Sequence, residues 1–317
     1  MSVPLIEMKN LKKYFDTPQG RLHAVDDVSL TVNEGQTIGI VGESGCGKST
    51  LGRTILRLIE PTGGEILYRG ENILGYNDAN MRAMRKNMQM IFQDPYSSLN
   101  PRLTVSEIIV EPIRVSKTIT NRIEIEKKVN EIMDVVGLSN RLVNSYPHEL
   151  DGGRRQRIGL ARAIILEPEF IVCDEPVSAL DVSIQAQILN LMMDLQEEKG
   201  FSYMFITHDL SVVKHISDEI LVMYIGQCIE KTSSADLFKN PLHPYTKALL
   251  DAILVPNLSN RNKTKRILRG EVSSPINPTP GCRFAPRCSF TKDECTTKNV
   301  ELKEFSPDHF VACTLFE

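Results

Sequence analysis

The run GESGCGKST, Gly42 to Thr50, constrains this chain more than any other stretch. It lies between a strand-like segment, Gln36-Thr37-Ile38-Gly39-Ile40-Val41, and a helix-like segment, Leu51 to Ile59. It fits G-x-x-x-x-G-K-[ST], in which glycines free backbone N–H groups to wrap phosphates, a lysine reaches the β- and γ-phosphates and a hydroxyl holds Mg2+. Gly42, Ser44, Gly45, Cys46, Gly47, Lys48, Ser49 and Thr50 are therefore the nucleotide-contacting candidates, with Lys48 on the phosphates and Ser49 on the metal. A Gly-rich turn ahead of a helix is the plainer reading, and the strand before it and the helix after it weigh against that reading.

The bulk composition is that of an ordinary soluble protein: 317 residues, 41% hydrophobic and 24% charged, enough for one large or two modest domains. A net charge of −3 gives no global reason to expect a nucleic-acid partner. The opening MSVPLIEMKNLKKYF has no apolar signal core, and no run approaches the roughly 18 apolar residues of a membrane span. A cytoplasmic location is expected, at a membrane only through a partner. Seven cysteines, four of them from Cys282 to Cys313, suit metal binding better than a disulfide framework in such a chain.

Taken in order, residues 3–8 and 24–33 read as short strands, with Gly20 and Asn33-Glu34-Gly35 as turn signals. Between them, Tyr14 in LKKYF is placed to stack on a purine, although an isolated tyrosine more often packs. Pro61-Thr62-Gly63-Gly64 breaks the chain before a strand at Glu65 to Tyr68, and Asn87 to Phe92 is again strand-like, ending at Gln93-Asp94-Pro95. Apolar spacing then predicts helices over 104–115, 122–136 and 153–166, punctuated by Pro101, Pro112 and Pro147. They read as a helical insertion, about 94–166, within an α/β domain. The wholly apolar Phe170 to Cys173 reads as a buried parallel strand ending in Asp174-Glu175. A helix from Ile184 to Glu198, a strand at Ser202 to Thr207 leading into His208-Asp209, and two strands in 219–231 follow. Ligands of such sheets bind beyond the carboxyl ends of the strands, where the phosphate loop, Gln93, Asp174-Glu175 and His208 all fall. After a short helix near Ala235 to Phe238 come PLHPYTKALLDAILVP, a basic stretch (Arg261, Lys263, Lys265, Arg266, Arg269) that reads most simply as a solvated linker, a Pro-rich segment (Pro275, Pro278, Pro280) and the cysteine-rich tail.

An acidic residue ending a buried apolar strand is what a P-loop nucleotidase uses to hold Mg2+, which assigns Asp174. Glu175 is then placed to polarise a water, since this chemistry rests on positioning and electrostatics. His208 could donate to the γ-phosphate. The ordered set GESGCGKST, Gln93 in FQDP, LDGGRRQR from Leu150, FIVCDEP from Phe170, SALD from Ser178 and ITHD from Ile206 resembles the nucleotide-binding subunit of an ABC transporter over about residues 5–235.

The resemblance implies a P-loop (RecA-like) α/β core with a mostly parallel sheet, an antiparallel β subdomain and a helical signature subdomain. It implies Tyr14 as the adenine-stacking aromatic, Lys48, Ser49 and Asp174 for phosphates and Mg2+, Gln93 as the Mg2+ and coupling residue, Glu175 as general base and His208 as γ-phosphate switch. It also implies a head-to-tail dimer in which each ATP lies between one subunit's phosphate loop and the other's signature segment.

That segment, usually LSGGQ in the family, here reads Leu150-Asp151-Gly152-Gly153-Arg154. Gly152 and Gly153 keep backbone N–H groups available to a phosphate at the start of a helix. Asp151 replaces a serine with a carboxylate, and like charges ~4 Å apart repel by about 4 kcal/mol at an effective dielectric near 20. Arg154 could offset this by pairing with Asp151 or with the phosphate. The expectation is an unequal pair of sites, and hence a partner ATPase that is a different chain.

PLHPYTKALL and GCRFAPRC…C…HFVAC resemble the C-terminal extension of ATPases from the peptide and nickel uptake group of importers, over about 241–317. Domains of 1–235 and 236–317 follow. Cys282, Cys288, Cys295 and Cys313 are spaced C-x5-C-x6-C-x17-C, unlike the C-x2-C of a zinc knuckle. Soft thiolates suit a 4Fe-4S cluster, which the resemblance suggests, or zinc, and reduced thiols without a metal are the third reading. Cys46 and Cys173 are expected to be packing residues, with Cys46 open to alkylation that would block ATP. Together the resemblances imply an ATPase energising di- or oligopeptide import from the cytoplasmic face of the membrane. Its partners would be a second ATPase, two permease subunits and an extracytoplasmic binding protein. The alternatives are nickel or another small solute, a soluble ABC ATPase outside transport, and a P-loop kinase, the last disfavoured by LDGG and SALD.

Overall fold

The computed structural model describes residues 3–94, 96–252 and 273–316, so the basic stretch from Arg261 to Arg269 lies outside the described residues. In chain order the strands are β1 (Ile6–Thr17), β2 (Gly20–Val32), β3 (Thr37–Val41), β4 (Gly63–Tyr68), β5 (Glu71–Asn72), β6 (Met88–Ile91), β7 (Phe170–Asp174), β8 (Ser202–Thr207), β9 (Glu219–Tyr224), β10 (Gln227–Ser233), β11 (Lys303–Ser306) and β12 (His309–Val311). The α-helices are α1 (Lys48–Ile55), α2 (Asp78–Met84), α3 (Val105–Ser116), α4 (Arg122–Val135), α5 (Gly152–Ile164), α6 (Val182–Lys199), α7 (Leu210–Ile216), α8 (Ser234–Lys239), α9 (Pro244–Ala252) and α10 (Asp293–Thr297). Contacts group them into two compact units.

One unit comprises residues 6–31, 37–67 and 207–317, and holds the phosphate loop. In it β1 lies between β2 and β4. Strand β3, buried at every residue, pairs in parallel with β9, from Ile38 opposite Glu219 to Val41 opposite Val222. Antiparallel pairing continues from β9 to β10, β12 and β11, so the tail's β11–β12 hairpin extends this sheet. The core is built from Val41, Val213, Val222, Tyr224, Leu237, Tyr245 and Phe284. The boundary expected near residue 235 falls inside this unit.

The other unit runs through residues 1–5, 32–36 and 68–206. Strands β6, β7 and β8 pair in parallel, with Asp174 opposite Ile206 at the carboxyl end. The insertion forms α3, α4 and α5, as its apolar spacing predicts. Helix α3 opens on a capping box: Thr104 N–H donates to Glu107 at 2.8 Å while the Thr104 hydroxyl faces Glu107 N–H. Pro112, expected as punctuation, sits within α3, because Ile108, Ile109 and Ile113 keep one face of the helix buried across it.

Strands β1 and β2 are longer than the short strands expected, because charged residues such as Lys12 and Lys13 sit partly exposed on β1 and blur its alternation. Helices α2, α7 and α9 and the tail hairpin have no counterpart in the sequence reading. The first two span only 7 residues each, too few for apolar periodicity to show.

Candidate nucleotide-binding site

The phosphate loop leaves β3 at Val41 and enters α1 at Lys48. Gly47 is the residue before the helix, with φ 108°, and a Cβ there would lie 2.0 Å from the Ala24 carbonyl oxygen. Gly42 has φ 154°, and a Cβ would stand 2.3 Å from the Met223 carbonyl oxygen. No other residue fits either position, so both the turn and the close approach require glycine. Lys48 is buried, and its ammonium donates to the carbonyls of Gly42 at 2.8 Å and Glu43 at 3.0 Å. Ser44 and Gly45 are exposed, and Ser49 and Thr50 are half-buried in the first turn of α1.

Cys46 is only 4% exposed, and burial pushes its thiol pKa up. It packs as expected, and burial works against its alkylation, which needs an accessible thiolate. Cys46 acts through its backbone, whose carbonyl accepts from Gly226 N–H at 2.7 Å. Cys173 is likewise buried, in β7.

Tyr14 is not a bare platform. Its ring stacks on His23 with centroids 4.0 Å apart, the Arg21 guanidinium lies 4.8 Å from its centroid, and its hydroxyl donates to Asp26. Burial, then the bond to Asp26, raises its pKa. An adenine stacking here competes with these neighbours. Asp26 also accepts from His23 Nδ1 at 3.0 Å and from Arg283. Burial opposes its charge, but these bonds outweigh that and hold its carboxyl below the usual range. His208 is exposed, between the end of β8 and α7, where Asp209 caps the helix by accepting from Ser211 N–H at 2.8 Å.

In the other unit, Asp174 is fully buried at the end of β7 and Glu175 follows it in a left-handed conformation, φ 47°. A non-glycine residue held there costs about 1–3 kcal/mol, the kind of strain that gathers at functional sites. Glu175 N–H donates to the Ile206 carbonyl at 2.9 Å, and its carboxylate accepts from Gln93 Nε2 at 3.0 Å. Gln93 and Glu175 are thus brought together, as strand ends β6 and β7 predict. Gln93 and Asp174-Glu175 belong to this unit, and the phosphate loop and His208 to the other.

The signature segment enters α5 with Asp151 as its N-cap, accepting from Arg154 N–H at 2.8 Å. The second carboxylate oxygen pairs with Arg154 Nε at 3.4 Å, which is one of the two offsets the sequence left open. Asp151 and Arg154 side chains are 63% and 54% exposed, so solvent screens this pair and also reduces the repulsion expected of Asp151. A Cβ on Gly153 would reach the Ile184 side chain at 2.8 Å. Arg155, overlooked in the sequence, is buried, donating to the Pro147 carbonyl at 2.6 Å and lying 3.9 Å from the centroid of Tyr96.

In the tail, Cys282, Cys288, Cys295 and Cys313 line one small cavity with His243 and Phe284. All seven cysteines of the chain are thiols. Burial, then the neighbouring thiols, pushes Cys282 up to about 11. Cys295 Sγ lies 3.2 Å from the Thr314 hydroxyl, and Phe290 N–H donates to Cys288 Sγ at 3.4 Å. Among the described residues no group of three or more His, Cys, Asp or Glu side chains is arranged to hold a metal ion. The four thiols expected as ligands of a cluster or of zinc share one cavity without converging as a ligand set.

Two further residues touch the phosphate loop from the tail. Arg287 pairs with Glu43, and Tyr245 accepts from Glu43 N–H. Nothing local in the sequence points to them, since 244 positions separate Arg287 from Glu43.

Comparison with known proteins matches the ABC transporter family over residues 25–178 and the oligopeptide/dipeptide transporter C-terminal region over 229–295. The chain is 51% identical over 316 residues to the putative oligopeptide transport ATP-binding protein YkfD of Bacillus subtilis, covering 99% of this chain and 96% of that one. It is 51% identical over 308 residues to the oligopeptide transport ATP-binding protein OppF of Escherichia coli, covering 97% and 92%. Among solved structures it is similar to the ATP-binding cassette MJ0796 in a dimeric post-hydrolysis state bound to ADP and Pi, with TM-score 0.67, 28% identity, and 72% of this chain and 98% of that chain covered.

Proposed function

Because the chain belongs to the family of ATP-binding proteins of oligopeptide and dipeptide ABC transporters, we propose that it hydrolyses ATP to energise import of di- or oligopeptides. The observation that carries the reading is the Glu175 carboxylate, set by strained backbone at a buried strand end and hydrogen-bonded to Gln93. In this reading Lys48 and the loop N–H groups bind the β- and γ-phosphates. Glu175 takes the proton of the attacking water, Gln93 orients Glu175, and His208 donates to the γ-phosphate. Tyr14 contributes to the adenine side, in competition with its present neighbours.

Ser49 in one unit, and Asp174 and Gln93 in the other, each offer the hard oxygen donor that suits Mg2+, and the Asp174 carboxylate is buried. Mg2+ held by such donors would neutralise charge on the phosphates.

The two family matches support reading residues 1–235 as a cassette and 236–317 as an extension. Gly152, Gly153 and the Asp151–Arg154 pair would face a nucleotide held by the phosphate loop of a second, different ATPase chain. Two permease subunits and an extracytoplasmic binding protein complete the assembly, with this chain peripheral on the cytoplasmic face. Among the described residues no helix is long and apolar enough to cross a membrane. For the tail, four thiols around one cavity leave an iron–sulfur cluster, zinc and reduced thiols without a metal as the readings to test. Iron, sulfide and zinc analysis of anaerobically purified protein separates the three.

The deciding experiment reconstitutes the chain with its permeases and partner ATPase in vesicles containing binding protein. Peptide-stimulated ATP hydrolysis and peptide accumulation are expected. Stimulation by nickel chelates alone would transfer the reading to metal uptake, and absence of ATP hydrolysis would end it.

A further inference from the structure

Glu43, inside the phosphate loop, is held at three points. Its carbonyl and that of Gly42 accept the Lys48 ammonium at 3.0 and 2.8 Å. Its N–H donates to the hydroxyl of Tyr245 at 2.9 Å. Its carboxylate takes both terminal nitrogens of Arg287, at 2.7 and 3.1 Å, a two-pronged pairing whose arginine side chain is only 6% exposed. Tyr245 and Arg287 both belong to the C-terminal extension. They are stiffened there by an edge-to-face cluster in which Tyr224, Tyr245 and Phe284 have centroids 4.7 to 5.4 Å apart. Arg287 also donates to the Tyr224 hydroxyl at 3.3 Å.

A second arm runs in parallel. Arg283 bonds to Asp26 and to the Ile225 carbonyl, and the adjoining Gly226 N–H donates to the Cys46 carbonyl at 2.7 Å. The extension therefore reaches both the Tyr14–Asp26 pair and the loop that would wrap the phosphates.

We propose that the C-terminal extension positions the phosphate loop for nucleotide, through Arg287 and Tyr245 acting on Glu43. Two physical effects combine. The clamp fixes the peptide plane whose carbonyl holds Lys48, and ordering a loop before binding removes that cost from the binding step. Arg287 also neutralises a carboxylate that the loop would otherwise set beside an incoming triphosphate of the same sign. Arg287 and Tyr245 touch none of the reacting atoms in this scheme, so they are positioning residues: they set how tightly nucleotide is held and leave the chemical step alone.

This rests on the nucleotide reading above, and the test separates the two. MgATP affinity of the purified full-length chain is measured by calorimetry, and kcat and KM in the assembled transporter, for wild type, Arg287→Gln, Tyr245→Phe, Glu43→Gln and the double variant Glu43→Gln with Arg287→Gln. Arg287→Gln is expected to raise the MgATP Kd and the KM about 10-fold, the loss expected of a hydrogen bond to a charged group, with kcat within about two-fold of wild type. Adding Glu43→Gln is expected to recover about half of that loss on a logarithmic scale, because the uncompensated carboxylate is gone. Tyr245→Phe, which keeps the packing, is expected to raise Kd a few-fold and stands in for Arg287→Gln should that variant not fold. An unchanged Kd in Arg287→Gln and Tyr245→Phe, or strictly additive effects in the double variant, overturns the proposal. A fall in kcat and melting temperature at unchanged KM assigns Arg287 a structural role only and overturns it too. If the wild type itself binds no MgATP, the nucleotide reading fails and the inference goes with it.

Discussion

The side-chain amide of Gln93 donates a 3.0 Å hydrogen bond to the carboxylate of Glu175, whose backbone is held at φ 47°. The bond fixes where the Glu175 carboxylate points. Glu175→Gln removes the base and keeps the shape. ATP turnover in the assembled transporter is expected to fall by about 10²–10⁴-fold, with MgATP Kd close to wild type. Gln93→Ala should give a smaller loss of turnover. A Glu175→Gln variant that still turns over at wild-type rate would remove Glu175 from the chemistry.

Asp151 caps α5 through Arg154 N–H, and serine is a comparable cap. Asp151→Ser therefore changes charge at the signature segment with little change in fold. Expected is an unchanged melting temperature and faster hydrolysis by the heterodimer, arising at the partner's phosphate loop. The partner site is isolated by combining the substitution with Lys48→Ala in this chain. An identical ATPase rate with and without Asp151→Ser would dispose of the unequal-sites reading.

At Gly47, φ 108° and the 2.0 Å approach of the Ala24 carbonyl act together. Gly47→Ala must move the backbone at the mouth of α1, so MgATP binding should be lost and the melting temperature lowered. Gly159, where a Cβ meets nothing within 4 Å, is the control. Gly159→Ala should leave both quantities unchanged or raise stability slightly.

His243 is buried with its imidazole pKa pushed down to about 4 by desolvation. The unfolded chain binds a proton near pH 6.5 and the folded chain only near 4. This contribution to stability is thus complete above about pH 6.5 and is lost as pH falls through that window, by about 3 kcal/mol at its lower end. Glu230 adds to acid sensitivity further down: burial opposes its charge, but His309, Thr246 and the N–H groups of Leu242 and His243 keep its carboxyl below the usual range. Its contribution is present above the ordinary carboxylate pKa and disappears as pH falls through its lowered folded value. Denaturant titrations at pH 7.5, 6 and 5 should show a shallower pH dependence for His243→Asn, which keeps an acceptor for Tyr245 N–H and does not titrate. Parallel pH profiles for the two proteins would rule His243 out.

Much of this was legible in the sequence because the signals were local. The phosphate loop shows itself in nine consecutive residues, and the apolar run Phe170 to Cys173 ending in an acid announces both a buried strand and its chemistry. The helices of 104–166 have long amphipathic faces, so their spacing carries them. What stayed hidden depends on distant partners. Arg287 is an unremarkable arginine until the fold sets it on Glu43, and the Tyr14 ring reads as open until Arg21 and His23 are seen against it. The tail's cysteine spacing suggested a ligand set, but spacing along the chain does not fix where sulfur lone pairs point.

The tail also pairs its backbone with strands elsewhere in its unit. Leu22 of β2 bridges Ile276, His23 N–H donates to the Pro275 carbonyl at 3.0 Å, and β12 lies along β10. The hairpin covers the margin of β10, a row of amide groups that could template foreign strands, and passes the edge to β11, four exposed residues that include Lys303 and Glu304. The extension thus ends this sheet on a short, charged strand, the kind of edge that discourages pairing with another chain. A cassette ended near residue 235 would bare the margin of β10, and its first fault is expected to be clumping in solution rather than slow catalysis.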